Sequence, residues 1–484
     1  MSWGWFAAPE YAAARSAVQH LVALVYLVAF VNAANQFRPL LGSNGLTPIP
    51  RFRAATGFRR APSLFQLHYS DRFFTGCAVT GAVVSAAALV GVVDLLPLWA
   101  AMLIWLALWA LYLSIVNVGQ VWYAFGWESL LLETGFLVVF LGPAHVAPPA
   151  PVLWLLCWLL FRVEFGAGLI KMRGDPAWRD LTALHHHHET QPMPGPLSRS
   201  FHHAPGPVHR IEVLANHGAQ LVLPFGLFLP QPIANACAVL IIITQLWLML
   251  SGNFAWLNLL TITLAFAALD SSVLPWSGWP GWPGWPGWSV PAATANPPWQ
   301  VALVLAVTLG MLVLSAWPVR NMLGKQQVMN ASFNKLHLGN TYGAFGSITR
   351  VRHEVVLEGT TDPSGESGWR EYRFKGKPGD PTRRSPQIAP YHLRLDWAMW
   401  FLPIAPGYGR GWFPRLVRAL LRNERELTKL LRENPFSDEP PRWVRARLFR
   451  YRFTTSRQRR ETGHWWVREP VSDFYPASSR SEMD

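Results

Sequence analysis

Cysteine is nearly absent. The chain holds three, Cys77, Cys157 and Cys237, each within an apolar run and with no CxxC pair. That excludes a disulfide framework and a cysteine zinc knuckle, and leaves the thiols as small buried hydrophobes. Charge is scarce as well: 14% of 484 residues, with 28 acidic against 42 Lys and Arg. The soluble part shows no Ser-His-Asp arrangement, nucleotide fingerprint or paired catalytic carboxylates. A formal net charge of +14 would suit nucleic acid. However, the Arg residues lie in loops and in the C-terminal part, with apolar spans between them. Membrane topology and lipid headgroups account for that pattern, so nucleic acid is not read as a partner.

What is abundant is apolar: 51% hydrophobic residues, 26 Trp and a mean hydropathy of +0.17. We read a polytopic α-helical membrane protein of about nine spans, with a C-terminal α+β, antiparallel-strand soluble domain. The spans are Ala17–Asn35, Phe73–Val93, Leu96–Val118, Trp127–Leu141, Val152–Ile170, Ile211–Leu229, Ile233–Ser251, Phe254–Leu269 and Val301–Trp317. In lipid the backbone must bond to itself, so these should be helices. Val18–Ala34 has no small-residue cleavage site and reads as a retained span. The bilayer part is placed at 1–325, the soluble domain at 326–477 and a disordered tail at 478–484.

The Pro-Gly-Trp repeat from Trp276 to Trp288 breaks helices and favours the interface, so it reads as a loop along the membrane surface. Beyond Arg320, strands are expected at Thr341–Phe345, Arg350–Leu357, Trp369–Phe374 and Arg442–Phe453. Helices are expected at Leu393–Phe401 and Leu416–Leu431.

Unusual chemistry concentrates between Phe161 and His217. GAGLIK (Gly166–Lys171) lacks phosphate-loop spacing and sits in a span, so its small residues serve helix packing. Glu164 and Lys171, seven apart, share a helix face with Gly168 between them. They are candidate catalytic groups, with His187 of the following loop, or else a snorkelling Lys beside a packing groove. The run His185–His188 with Glu189 cannot aim four imidazoles one way, and His202, His203, His209 and His217 add scattered candidates. The run reads as a polar loop, with no metal or other cofactor assigned. Glu133 in the fourth span calls for a cation, and Arg162 in the fifth supplies a structural intramembrane pair.

Several ordered motifs resemble the lipase maturation factor family. These are GWESLLLETGF (126–136), GAGLIK, RGDPAWRDLTAL (173–184), ETQPMPGP (189–196), LANH (214–217) and SGNFAWLNLLT (251–261). The soluble part adds NTYGAFGSITR (340–350), EVVLEG (354–359), the stretch from Trp369 to Phe401, NPF (434–436), PPRWVRARLFRYRF (440–453) and HWWVRE (464–469). The resemblance implies a multipass protein assisting maturation of secreted proteins. In animals such proteins reside in the endoplasmic reticulum and support dimeric lipases, and the C-terminal domain engages clients on the lumenal side. Secreted clients and membrane lipids are therefore the expected partners. Trp397, Trp400, Trp465 and Trp466 are candidate client contacts, with core packing the alternative. Two departures stand out. His186–His188 replace an aromatic-His-aromatic element of the family, where only His187 matches, and the Pro-Gly-Trp repeat is foreign to it.

A fainter resemblance of the membrane half to vitamin K-dependent γ-carboxylases places Lys171 at a basic lysine, which implies an intramembrane enzyme as an alternative function. A small-molecule transporter is a third reading, resting on Gln245, Asn253 and Asn258. The Ala-, Arg- and Trp-rich composition suggests a bacterial cell membrane; a eukaryotic source would imply the endoplasmic reticulum membrane. The loop Gln36–Arg72 carries Arg38, Arg51, Arg53, Arg59, Arg60 and Arg72, which the positive-inside rule places in the cytoplasm. Alternation through nine spans puts the soluble domain on that same side, whereas the family resemblance puts it outside.

Overall fold

The computed structural model describes residues 4–274 and 294–483. The Pro-Gly-Trp repeat lies outside the described residues. Among the described residues, six helices are long and apolar enough to cross a membrane: α1 (Ala12–Leu41), α2 (Asp71–Leu89), α3 (Leu98–Val118), a helix at Ala150–Arg173, one at Ile233–Ser251, and Pro298–Leu314 running on through Ala316–Leu323. The other three expected spans are shorter. Gly126–Val138 (α4) has 13 residues and Leu257–Phe266 has 10. Gly206–Leu221 has 16, and the expected run to Leu229 is interrupted ahead of Pro224, which cannot donate a helical hydrogen bond. At 1.5 Å per residue α4 extends only about 20 Å, short of the roughly 30 Å a hydrocarbon core requires. It is instead enclosed by protein, its Leu130, Leu131 and Leu132 fully buried.

We number the following helices α5 (Ala150–Arg173), α6 (Leu184–Thr190), α7 (Gly206–Leu221), α8 (Ile233–Ser251) and α9 (Leu257–Phe266). The bundle forms around α1, whose buried face runs through Val18, Val22, Tyr26, Phe30 and Phe37. Glycines let neighbours approach it. A Cβ on Gly81 of α2 would sit 2.5 Å from the Phe30 ring, and one on Gly135 of α4 would overlap the Tyr26 hydroxyl.

Beyond the bundle lies a four-stranded antiparallel sheet of β1 (Arg352–Thr360), β2 (Arg370–Glu371), β3 (Trp443–Phe453) and β4 (Trp466–Ser479), in the order β2-β1-β3-β4. β1 and β3 pair from Arg352↔Tyr451 to Thr360↔Trp443. Helix α10 (Arg394–Phe401) carries the sheet domain onto the bundle, and α11 (Phe413–Leu421) packs on β3.

Two expectations are corrected. Thr341–Phe345 is irregular, because its neighbourhood gives hydrogen bonds to the bundle rather than to a ladder. Leu416–Leu431 is not one helix: it breaks at Asn423, which adopts φ 50°, a left-handed helix end that Asn tolerates. At the end of the chain Ser478 and Ser479 pair with Val444 and Trp443, and Arg480–Met483 forms a helical turn.

The Arg-rich loop lies at the sheet's end of the bundle. Arg415 donates to the Leu46 carbonyl at 2.9 Å, and Asn117 bridges the carbonyls of Pro62 (2.8 Å) and Lys335 (3.1 Å). The segment between α5 and α7 reaches the same end, where Arg199 donates to the Thr454 carbonyl at 2.9 Å.

Candidate functional site

The two carboxylates of α4 are fully buried, and each meets an arginine. Glu133 Oε1 lies 2.5 Å from Arg162 Nη2 of α5. Its oxygens also accept from the backbone N–H groups of Gly339 (3.0 Å) and Asn340 (3.2 Å), the Asn340 amide (2.9 Å) and the Tyr342 hydroxyl (2.9 Å). Arg162 in turn donates to the Asn340 carbonyl at 2.9 Å. A desolvated ion pair depends on hydrogen bonds to its remaining polar atoms, and here Gly339 and the NTY segment supply them to the carboxylate, while Arg162 Nε has no partner.

Glu128, one and a half turns earlier, binds the soluble domain. Arg394 of α10 donates to Glu128 Oε1 at 2.8 Å, to the Trp122 carbonyl at 2.6 Å, and through Nε to Asn32 Oδ1 at 3.0 Å. The Tyr112 hydroxyl donates to the other Glu128 oxygen. Asn32 and Gln36 of α1 then donate to the His392 carbonyl at 2.6 and 2.8 Å, and Gln36 accepts the Arg394 N–H at 3.0 Å. The Tyr123 ring lies 3.5 Å from the guanidinium carbon. Burial pushes the His392 imidazole down to about 4, against the pull of the neighbouring Glu128 carboxylate, so it is neutral here.

A third charged knot fixes the ETQP loop. Arg352 of β1 donates to the backbone carbonyls of Glu189 (3.0 Å), Gln191 (2.5 Å) and Pro192 (3.1 Å), and pairs with Glu354 at 2.5 Å. Lys377 completes it, 2.8 Å from the other Glu354 oxygen. From the loop side, Glu189 accepts the Phe453 N–H at 2.7 Å.

Glu164 and Lys171 lie on one buried polar face. Gln245 of α8 donates to Glu164 at 2.7 Å, and Asn258 of α9 donates to Gln245 at 2.7 Å. Lys171 donates to Asn216 (3.1 Å) and Gln220 (2.9 Å) of α7, and its ammonium sits 4.6 Å from the Trp178 ring centre. The groove over Gly168 is filled: a Cβ there would meet Leu221 at 2.7 Å and Gln220 at 2.9 Å. His187 is buried, 6.5 Å from Trp178 and 4.6 Å from Phe345 between ring centres. Trp178 thus stands against both Lys171 and His187.

The four tryptophans divide. Trp397 is 4% exposed, packed among Phe125, Trp127 and His392, and Trp466 is 1% exposed, stacked 4.0 Å from Phe453. Both are buried, with their ring faces spent on core packing. Trp400 is partly exposed, and its indole donates to the Thr190 carbonyl at 3.1 Å. Trp465 is also partly exposed, with Arg459 and Arg384 against its ring at 3.6 and 5.2 Å. Sequence reasoning missed Arg394, Asn32, Gln36, Arg352, Glu354 and Lys377. The available signal was charge accounting: Glu128 in an apolar stretch demanded a second arginine, and Arg394 in HLRLDW has apolar neighbours.

A helical bundle joined through the buried Glu128–Arg394 pair to an antiparallel sheet defines an integral membrane protein with an attached soluble domain. The lipase maturation factor transmembrane domain matches residues 13–276, and the lipase maturation factor C-terminal domain matches 338–476. The chain belongs to the lipase maturation factor family. It is 40% identical to human lipase maturation factor 1 across 96% of this chain and 87% of that protein, and 39% identical to the Bos taurus protein across 96% and 88%. Human lipase maturation factor 2 is 30% identical across 95% and 81%. No solved structure matches the chain.

Proposed function

We propose that this chain is a membrane-embedded maturation factor for secreted lipases, and that its sheet domain meets the client on the secretory side of the membrane. Family membership supports the lipase client. The observation that carries the role of the sheet is β4. It pairs with β3 on one side only, lies at the sheet edge, and is exposed from Glu469 to Asp473, with Val471 51% exposed. A partly folded client offers unpaired strands, which an edge strand can accept. Pro470 and Pro476 lack N–H groups, so they confine pairing to the stretch between them and blunt the edge against self-association. A groove of about 370 Å³ opens beside the start of β4, lined by Thr454, Gln458, His464, Trp466 and Arg468. The buried Arg394–Glu128 contact holds this sheet against the bundle. The test is co-expression with a dimeric lipase in cells lacking their own maturation factor. Val471→Lys should lower secreted lipase activity at unchanged chain abundance; unchanged activity would remove β4 from the role.

Lys171, Glu164 and His187 carry the alternative of an intramembrane reaction centre. Trp178 against both Lys171 and His187, and the amides around Lys171, favour a packing centre instead. Gln245, Asn253 and Asn258 likewise spend their polar groups internally, which weighs against transport. Lys171→Met separates the readings: the packing centre predicts lower thermal stability with normal lipase output per folded molecule, whereas a reaction centre predicts a stable but inactive protein.

A further inference from the structure

Helices α6 and α7 bring together three side chains that neither the junction nor the client edge uses. His188 and His209 are buried, Glu212 is nearly so, and one ligand atom of each lies within 4.8 Å of the others. His209 Nδ1 is 3.4 Å from Glu212 Oε2, and His188 Nε2 is 3.9 Å from the same oxygen.

The hydrogen bonds around the cluster fix which atoms face inward. His209 Nε2 lies 3.3 Å from the His202 carbonyl, which can only accept, so the ring proton belongs there and Nδ1 presents its lone pair. Glu212 Oε1 accepts the Trp247 indole N–H at 3.0 Å, leaving Oε2 turned toward the imidazoles. His209 Nδ1, Glu212 Oε2 and both ring nitrogens of His188 are buried with no hydrogen-bond partner of their own. His209 Nδ1 and Glu212 Oε2 thus face each other with lone pairs and no donor between them, and His188, with neither ring nitrogen engaged, is free to turn a third lone pair inward; a cation between them removes the repulsion. A backbone carbonyl and an indole orienting the ligands from behind match the outer support that metal-binding His and carboxylate groups have.

We propose that His188, His209 and Glu212 form a binding site for a divalent transition-metal ion, zinc above all. Two imidazoles and one carboxylate suit zinc, whereas magnesium and calcium prefer all-oxygen ligands. Zinc–ligand bonds of about 2.0–2.2 Å require the three groups to close in by small rotations. The ion would tie α6 to α7 and leave a fourth position for water. Only one member of the His185–His188 run takes part, the spacing problem being solved by a second helix that contributes His209 and Glu212 one turn apart. His188 stands at one of the positions where the family resemblance has an aromatic residue, so the site is a property of this chain and independent of the client role.

The test uses the full chain in detergent, purified without a polyhistidine tag, stripped with chelator and titrated with zinc alone. One tight equivalent is expected by elemental analysis, with a zinc-dependent rise in melting temperature. His188→Phe should abolish both while folding normally, because an aromatic residue fills that place in the family pattern. Trp247→Phe should weaken zinc about 10-fold or more by freeing Glu212. His185→Ala with His186→Ala should change neither readout. Equal zinc content and equal stabilisation in wild type and His188→Phe would overturn the proposal. So would loss of the equivalent in the His185/His186 variant with retention in His188→Phe, which would assign the ion to the loop histidines.

Discussion

Arg394 is the residue whose removal the account predicts to cost most. It is the countercharge of Glu128 and also bonds to Trp122, Asn32 and Gln36, so Arg394→Met leaves a carboxylate buried and uncompensated. A loss of about 3–5 kcal/mol is expected in detergent unfolding. The double variant Glu128→Gln, Arg394→Met should recover part of it, because no lone charge remains. His392 beside this pair gives a pH signature. Its imidazole is held down to about 4 chiefly by burial, below an ordinary value near 6.5. A depressed value means the neutral ring contributes stability above about pH 6.5, which fades as pH falls through 4, up to about 3 kcal/mol in all. His392→Phe should flatten that window in a melting-temperature series. The Glu133–Arg162 contact was legible because both residues lie in apolar runs, where a charge must find a partner. Arg394 lies far along the chain from Glu128, in a segment that reads as soluble, so periodicity carried no trace of the pair.

Helix α4 is the element on which the bundle's packing converges. Its glycine at 135 faces the Tyr26 hydroxyl too closely for any side chain. Gly135→Val should destabilise the protein by about 1–3 kcal/mol through overpacking, checked by thermal unfolding. The apolar runs showed where helices lie, yet three of them are too short to span the bilayer alone. Composition records an apolar run whether lipid or protein surrounds it, so length was the only separating signal. β1 and β3 were visible from their alternation. β4 was not, because Pro470, Pro476 and the exposed residues between them erase the pattern of a half-buried strand, as an unpaired edge requires. Thr341–Phe345 erred the other way: its strand-like residues serve Glu133 and the bundle instead of a sheet.

At the scale of the molecule, three parts share one end of the bundle: the Arg-rich loop, the His-rich segment between α5 and α7, and the sheet domain. Positive charge would hold that end in the cytoplasm, while a maturation role requires it on the secretory side. A one-sided reporter fused after Asp484 should be active only on the secretory side. The most direct measurement remains maturation itself. In cells without their own maturation factor, the full chain co-expressed with a dimeric lipase should raise the activity per molecule of secreted lipase. Lipase activity no higher than without the chain, with the chain folded and abundant in the membrane, would contradict the account.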